Sequence, residues 1–124
     1  MAKVALVRGE NRKKNILECL GLISEDLAPI KDARNILIKP NLVAIKPDYA
    51  NTNVKAIESV IEFIRGIAPS TPITVGESSA SAFYKGMPTS RIFQDYGYYK
   101  LVGKYNNISL TDFDKDEEFI ESPI

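Results

Sequence analysis

The sequence predicts an α/β fold: a three-layer, Rossmann-like parallel sheet of about four strands with helices on both faces. Three observations predict it. Short apolar runs at residues 3–7, 35–39, 73–75 and 108–111 alternate with segments whose apolar residues recur three and four apart, the alternation of strand and amphipathic helix that builds βαβ units. The separations between runs suit right-handed crossovers between parallel strands. Each run also stops in polar or small residues, namely Arg8-Gly9-Glu10, Lys39-Pro40-Asn41, Gly76-Glu77-Ser78-Ser79 and Asp112-Phe113-Asp114.

Taken in order, the run Lys3-Val4-Ala5-Leu6-Val7 is expected to be the first strand, and Gly9 permits the turn after it. Ile16, Leu20, Ile23 and Leu27 then form an apolar stripe that predicts a helix from residue 11 or 12 to residue 28, ended by Pro29. The second strand ends at Lys39, because Pro40 lacks an N–H and restricts the residue before it to extended backbone. A long irregular loop, 42–51, follows. Thr52 or Asn53 is placed to cap a helix whose buried face is Val54, Ile57, Ile61 and Ile64, with Gly66 at its end. The turn Pro69-Ser70-Thr71-Pro72 leads to the third strand. Residues 81–88 read as a second flexible loop, Thr89 as the cap of a helix over 90–96, and Gly97 as a kink before a further helical stretch over 98–105. Asn106-Asn107 turns the chain into the fourth strand.

Composition bounds the function. The 124 residues suit one domain with one core, and 44% hydrophobic with 26% charged residues is the balance of an ordinary globule. Sixteen basic residues equal sixteen acidic ones, so no net basic field points to nucleic acid. No apolar run approaches the roughly 18 residues that would suggest a membrane span, and the first run meets Arg8 too early for a signal-peptide core. The expectation is a cytoplasmic protein that contacts neither nucleic acid nor membrane. A single cysteine and no histidine leave the usual zinc and iron–sulfur sites unbuildable from this chain. Any metal would be a hard one held by oxygen. Cys19 reads as a small packing residue, with no histidine to activate it.

Ligands of open parallel sheets bind outside the carboxyl ends of the strands, where strand order reverses. The expected binding residues are therefore Arg8, Lys39, Asn41, Glu77 and Ser78. An order of 2-1-3-4 would put the reversal between Arg8 and Glu77, and 3-2-1-4 would put it between Arg8 and Asp112. The sequence leaves both open. Arg8 and Lys39 could neutralise a small anion, or could pair with Glu10, Glu77 or Asp112 in a solvated network. No P-loop and no Gly-x-Gly-x-x-Gly is present, which disfavours the usual nucleotide-binding turns. Ser78 lacks a histidine base and a nucleophile elbow, which argues against hydrolase chemistry. The acidic run from Asp112 to Asp116 begins like a calcium loop, but Glu117 stands where that loop needs glycine, so it reads as a solvated acidic terminus. Tyr96, Tyr98, Tyr99 and Tyr105 could stack on a base or a partner, but read as packing on the sheet.

The blocks Lys3 to Glu10, Ile36-Leu37-Ile38-Lys39-Pro40-Asn41-Leu42-Val43, Val75-Gly76-Glu77-Ser78-Ser79 and Tyr96-Gly97-Tyr98, in this order, resemble the N-terminal part of the domain-of-unknown-function family numbered 362. Its members are prokaryotic, and some carry ferredoxin-type iron–sulfur domains. The resemblance implies an α/β domain with a suspected redox- or metal-linked role, carried over to Lys39, Pro40, Asn41, Gly76, Glu77 and Ser78. It brings no settled activity or cofactor. Family members are usually longer, so the resemblance also implies that residues 1–124 are one domain forming the N-terminal portion of a larger architecture. Where the family often has Thr-His-Pro, this chain has Thr52-Asn53-Val54.

Two functional expectations follow. The first is a ligand-binding α/β domain whose strand-end site takes a small anionic or metal-bound ligand; on this expectation Lys39→Ala weakens binding with little loss of stability. The second is a non-catalytic interaction module that docks on a second domain or subunit, or pairs as a homodimer.

Overall fold

The computed structural model describes residues 3–46 and 48–115. Pro47 and the acidic run beyond Lys115 lie outside the described residues, so the calcium-loop comparison is not reached. The described chain forms α1 (Arg12–Leu22), a short α2 (Ser24–Leu27) and a 3-10 turn (Ala28–Asp32), then β1 (Ile36–Ile38). After the loop come α3 (Val54–Ile67), β2 (Ile73–Glu77), α4 (Ala80–Lys85), α5 (Thr89–Asp95), α6 (Tyr99–Lys104) and β3 (Ile108–Asp112). The sheet is parallel, in the order β1-β2-β3.

α1 and α3 begin at side-chain caps, whereas α5 begins at Thr89 itself, after Pro88 and without the side-chain cap expected of Thr89. Asn11 accepts the Lys14 amide at 3.0 Å and Asn53 accepts the Lys55 amide at 3.0 Å, each filling one of the orphan donors of a first turn. Ile57, Ile61 and Ile64 of α3 are buried as their spacing requires. They meet the inner row of the sheet, Ile36, Ile38, Ile73, Val75, Ile108 and Leu110, together with Ile92, Phe93, Tyr98 and Leu101. Burying a side chain such as Ile61 contributes about 1.5–3 kcal/mol. Arg65, near the end of α3, ties the bottom of the sheet together by donating to the carbonyls of Thr71 at 2.7 Å and Asn106 at 2.6 Å, in the turns that enter β2 and β3.

Three expectations are corrected. First, the described sheet has three strands, not four: residues 3–9 carry no strand, and Val4 and Leu6 are each 90% exposed. The stretch lies along α1 instead, with the Cys19 thiol 4.0 Å from the Ala5 carbonyl and Lys3 paired to Asp26 at 3.1 Å. Second, the strand order matches neither of the two expected orders and contains no reversal. Right-handed crossovers between successive neighbours all fall on one side of a sheet, and the row Leu37, Thr74 and Ser109, in register on the opposite side, is left open; Leu37 is 58% exposed. Helices on both faces are not seen among the described residues. Third, the first helix stops at Leu22 rather than residue 28, and the expected loop over 81–88 contains α4, which Ser79 starts by accepting the Ser81 amide at 3.2 Å and Gly86 ends at φ 62°.

Candidate functional site

The carboxyl ends of β1, β2 and β3 converge as parallel pairing requires, and Glu77 is the centre of that edge. It is the last residue of the middle strand and only 2% exposed. A buried carboxylate must be fully partnered, and this one is. Lys39 lies 2.8 Å from each carboxylate oxygen, while the amides of Ser78 and Leu42 donate at 2.9 and 3.2 Å. Pro40 stops β1 so that the Lys39 side chain, half exposed, turns across the edge. With all its acceptor positions used, Glu77 fixes where Lys39 and the start of the 42–51 loop stand, and the ammonium keeps its outer side toward solvent.

From Ser78 the network continues to the end of β3. The Ser78 hydroxyl donates to Asp114 at 2.5 Å, and the Thr89 hydroxyl donates to the other oxygen of Asp114 at 2.6 Å while accepting the Ser79 amide at 2.7 Å. Asp112 accepts the amides of Ser90 at 3.1 Å and Asp114 at 3.1 Å. Burial works against the charge on Asp114, but the hydrogen bonds from Ser78, Thr89 and the Asp112 side overcome it and hold its carboxyl below its ordinary value. Among the described residues neither Asp112 nor Asp114 has an ion-pair partner. No three histidine, cysteine or acidic side chains among the described residues are grouped closely enough to form a metal cage.

Of the five expected binding residues, Lys39, Glu77 and Ser78 are brought together. Asn41 sits beside them, but its groups are committed to the loop: its amide donates to the Thr52 hydroxyl at 2.9 Å, and its side chain donates to the Ala50 carbonyl at 2.8 Å. Asn51 completes the staple through Val43 and Ala44. Arg8 is exposed, and no contact joins it to the others among the described residues, because residues 3–9 are not part of the sheet. Thr89, read from sequence only as a cap, is fully buried and joins β2 to Asp114; a hydroxyl two residues after the Gly86-Met87 turn was its only signal. Two clefts flank the edge. One, of about 540 Å³, lies under the loop among Asp48, Asn51, Asp95 and Tyr96 and touches none of the expected residues. The other, of about 510 Å³, opens beside β3 and includes Asp112.

These features define a parallel α/β domain with a polar strand edge. The family model described as "Domain of unknown function (DUF362)" matches residues 36–124, and the chain belongs to that family. No curated protein and no solved structure matches it. No helix among the described residues is long and apolar enough to cross a membrane.

Proposed function

We propose that this chain is a ligand-binding α/β domain whose edge, formed by Lys39, Ser78, Asp112 and Asp114 and organised by Glu77, takes a small anion in its metal-bound form. The observation that carries the reading is the charge arrangement at the edge. Lys39 is already balanced by Glu77, while Asp112 and Asp114 form no ion pair among the described residues and outnumber Lys115, which lines the same cleft as Asp112. A free anion would meet surplus negative charge there; an anion that brings a hard cation would not. Magnesium suits such an edge, since it is commonly held by one or two carboxylates plus oxygens of its own ligand and waters rather than by a full protein cage. Lys39 then serves the anion, and Asp114 and Asp112 the cation.

A second reading is favoured by one observation, the open sheet face at Leu37 together with the exposed apolar stretch at Val4 and Leu6. On this reading the chain is an interaction module, and a second domain or subunit supplies the missing layer and pairs residues 3–7 as a fourth strand.

Native mass spectrometry of the freshly purified chain, compared with its denatured mass, separates the two. The first reading expects a retained adduct of metal and small anion that Asp114→Asn abolishes. An adduct-free dimer rejects it in favour of the second.

A further inference from the structure

We infer that the ligand of this edge carries an aromatic ring seated in the cleft beside β3, and that its class is a metal-chelated nucleotide; the inference rests on the strand-edge reading above. Leu110 and Asp112 lie two apart on β3 and so project to the same, helix-covered side of the sheet. Because β3 is the edge strand, the helices α5 and α6 leave a cleft of about 510 Å³ there, a size in the range of small-molecule sites. Leu110, the buried Phe93 and the half-exposed Tyr99 are its apolar and aromatic lining. Tyr99 is 51% exposed, and its ring meets that of Phe93 in a T-shaped contact at 81° with centroids 6.5 Å apart. A half-exposed aromatic in an apolar lining is a platform on which a planar ring stacks.

Ser90, Asp112 and Lys115 line the same cleft, and Asp112 belongs to both the cleft and the strand-edge network through the Asp114 amide. A ligand filling both places has an aromatic ring, then hydroxyls that can donate to Asp112, then an anionic group with its metal toward Asp114, Ser78 and Lys39. A nucleotide has these parts in that order.

The test is amide NMR of the whole chain titrated with adenosine, magnesium tripolyphosphate and magnesium ATP. Adenosine is expected to move Tyr99 and Leu110, and magnesium ATP to move these together with Asp112, Asp114 and Ser78. Tyr99→Ala is expected to weaken magnesium ATP roughly five- to 150-fold and to leave magnesium tripolyphosphate unaffected, with Tyr99→Phe restoring the affinity. Equal affinities for magnesium ATP and magnesium tripolyphosphate, both insensitive to Tyr99→Ala, overturn the nucleotide inference and leave the strand-edge reading standing. Failure of magnesium tripolyphosphate to move Asp112 and Asp114 overturns the strand-edge reading, and the chelated nucleotide with it.

Discussion

The ring of Phe113 lies directly on Gly76: a methyl group built on that glycine would overlap the ring, with the two Cε atoms at 2.8 Å. Gly76 is buried in the middle strand one residue before Glu77, and Phe113 is the residue between Asp112 and Asp114. The missing side chain therefore lets the chain fold back over the sheet, which carries Asp114 to Ser78. Gly76→Ala is expected to destabilise the domain by about 1–3 kcal/mol, the usual cost of overpacking, and to loosen Asp114 from Ser78. Urea unfolding checks the first part. A shift of the Asp114 carboxyl resonance toward that of a free side chain checks the second.

Lys39 is a structural partner of the buried Glu77 carboxylate, which changes the expectation drawn from sequence. Removing it leaves the Glu77 carboxylate buried without its cation, so Lys39→Ala is expected to lose about 1.5–3 kcal/mol of stability, the range for a hydrogen bond to a charged group. The paired change Lys39→Met with Glu77→Leu removes both charges but leaves the Ser78 and Leu42 amides without their acceptor, so it is expected to lose stability as well. A double-mutant cycle by chemical denaturation measures the coupling. Additive effects of the two single changes would show that the pair contributes nothing.

The lowered titration of Asp114 gives a pH dependence with a definite sign. A carboxyl that is more acidic in the folded state contributes stability above the ordinary carboxylate range, and that contribution disappears as pH falls through the lowered native value. Ser78→Ala and Thr89→Val each remove a hydroxyl donor, so each is expected to raise the Asp114 midpoint and move the loss of stability to higher pH. Carbon-detected NMR titration of Asp114 reads the midpoint. Unchanged midpoints in both variants would mean that the hydroxyls do not set it.

How much of this was legible in the sequence depends on how far apart the partners lie. β1, β2 and β3, with the apolar stripe of α3, follow from local patterns, and their edges converge because parallel strands end on one side. The stretch at residues 3–7 has the same pattern yet forms no strand here, since strand formation is decided by neighbours rather than by the residues alone. The pairing of Lys39 with Glu77 crosses 38 positions. The residues at the strand ends offered Lys39 both as a partner of Glu77 and as a partner for an anion, and local pattern could not choose between them. The loop role of Asn41 was hidden for the opposite reason: its partners at Ala50 and Thr52 are close in sequence, and it closes a loop whose length hid that closure.

Tyr98 shows what a buried aromatic does when its polar end must be satisfied. It is fully buried against Phe93, with centroids 5.7 Å apart, and its hydroxyl donates to the Thr52 carbonyl at 2.8 Å, holding the end of the 42–51 loop against the entry to α3. Tyr98→Phe keeps the packing and leaves that carbonyl without its partner, so it is expected to cost about 1–3 kcal/mol. Amide exchange at Thr52 and Asn53 should quicken more than that of β2. Burial, with the Glu77 charge adding to it, pushes the phenol far above its ordinary value. The unfolded chain therefore releases that proton first as pH rises, and folded stability falls above the ordinary tyrosine range. Ultraviolet titration of the native protein should accordingly leave Tyr98 un-ionised until the chain unfolds, and the phenolate signal released on unfolding should shrink in Tyr98→Phe. A native titration in which all six tyrosines ionise together while the fold persists would show that the Tyr98 hydroxyl is open to solvent.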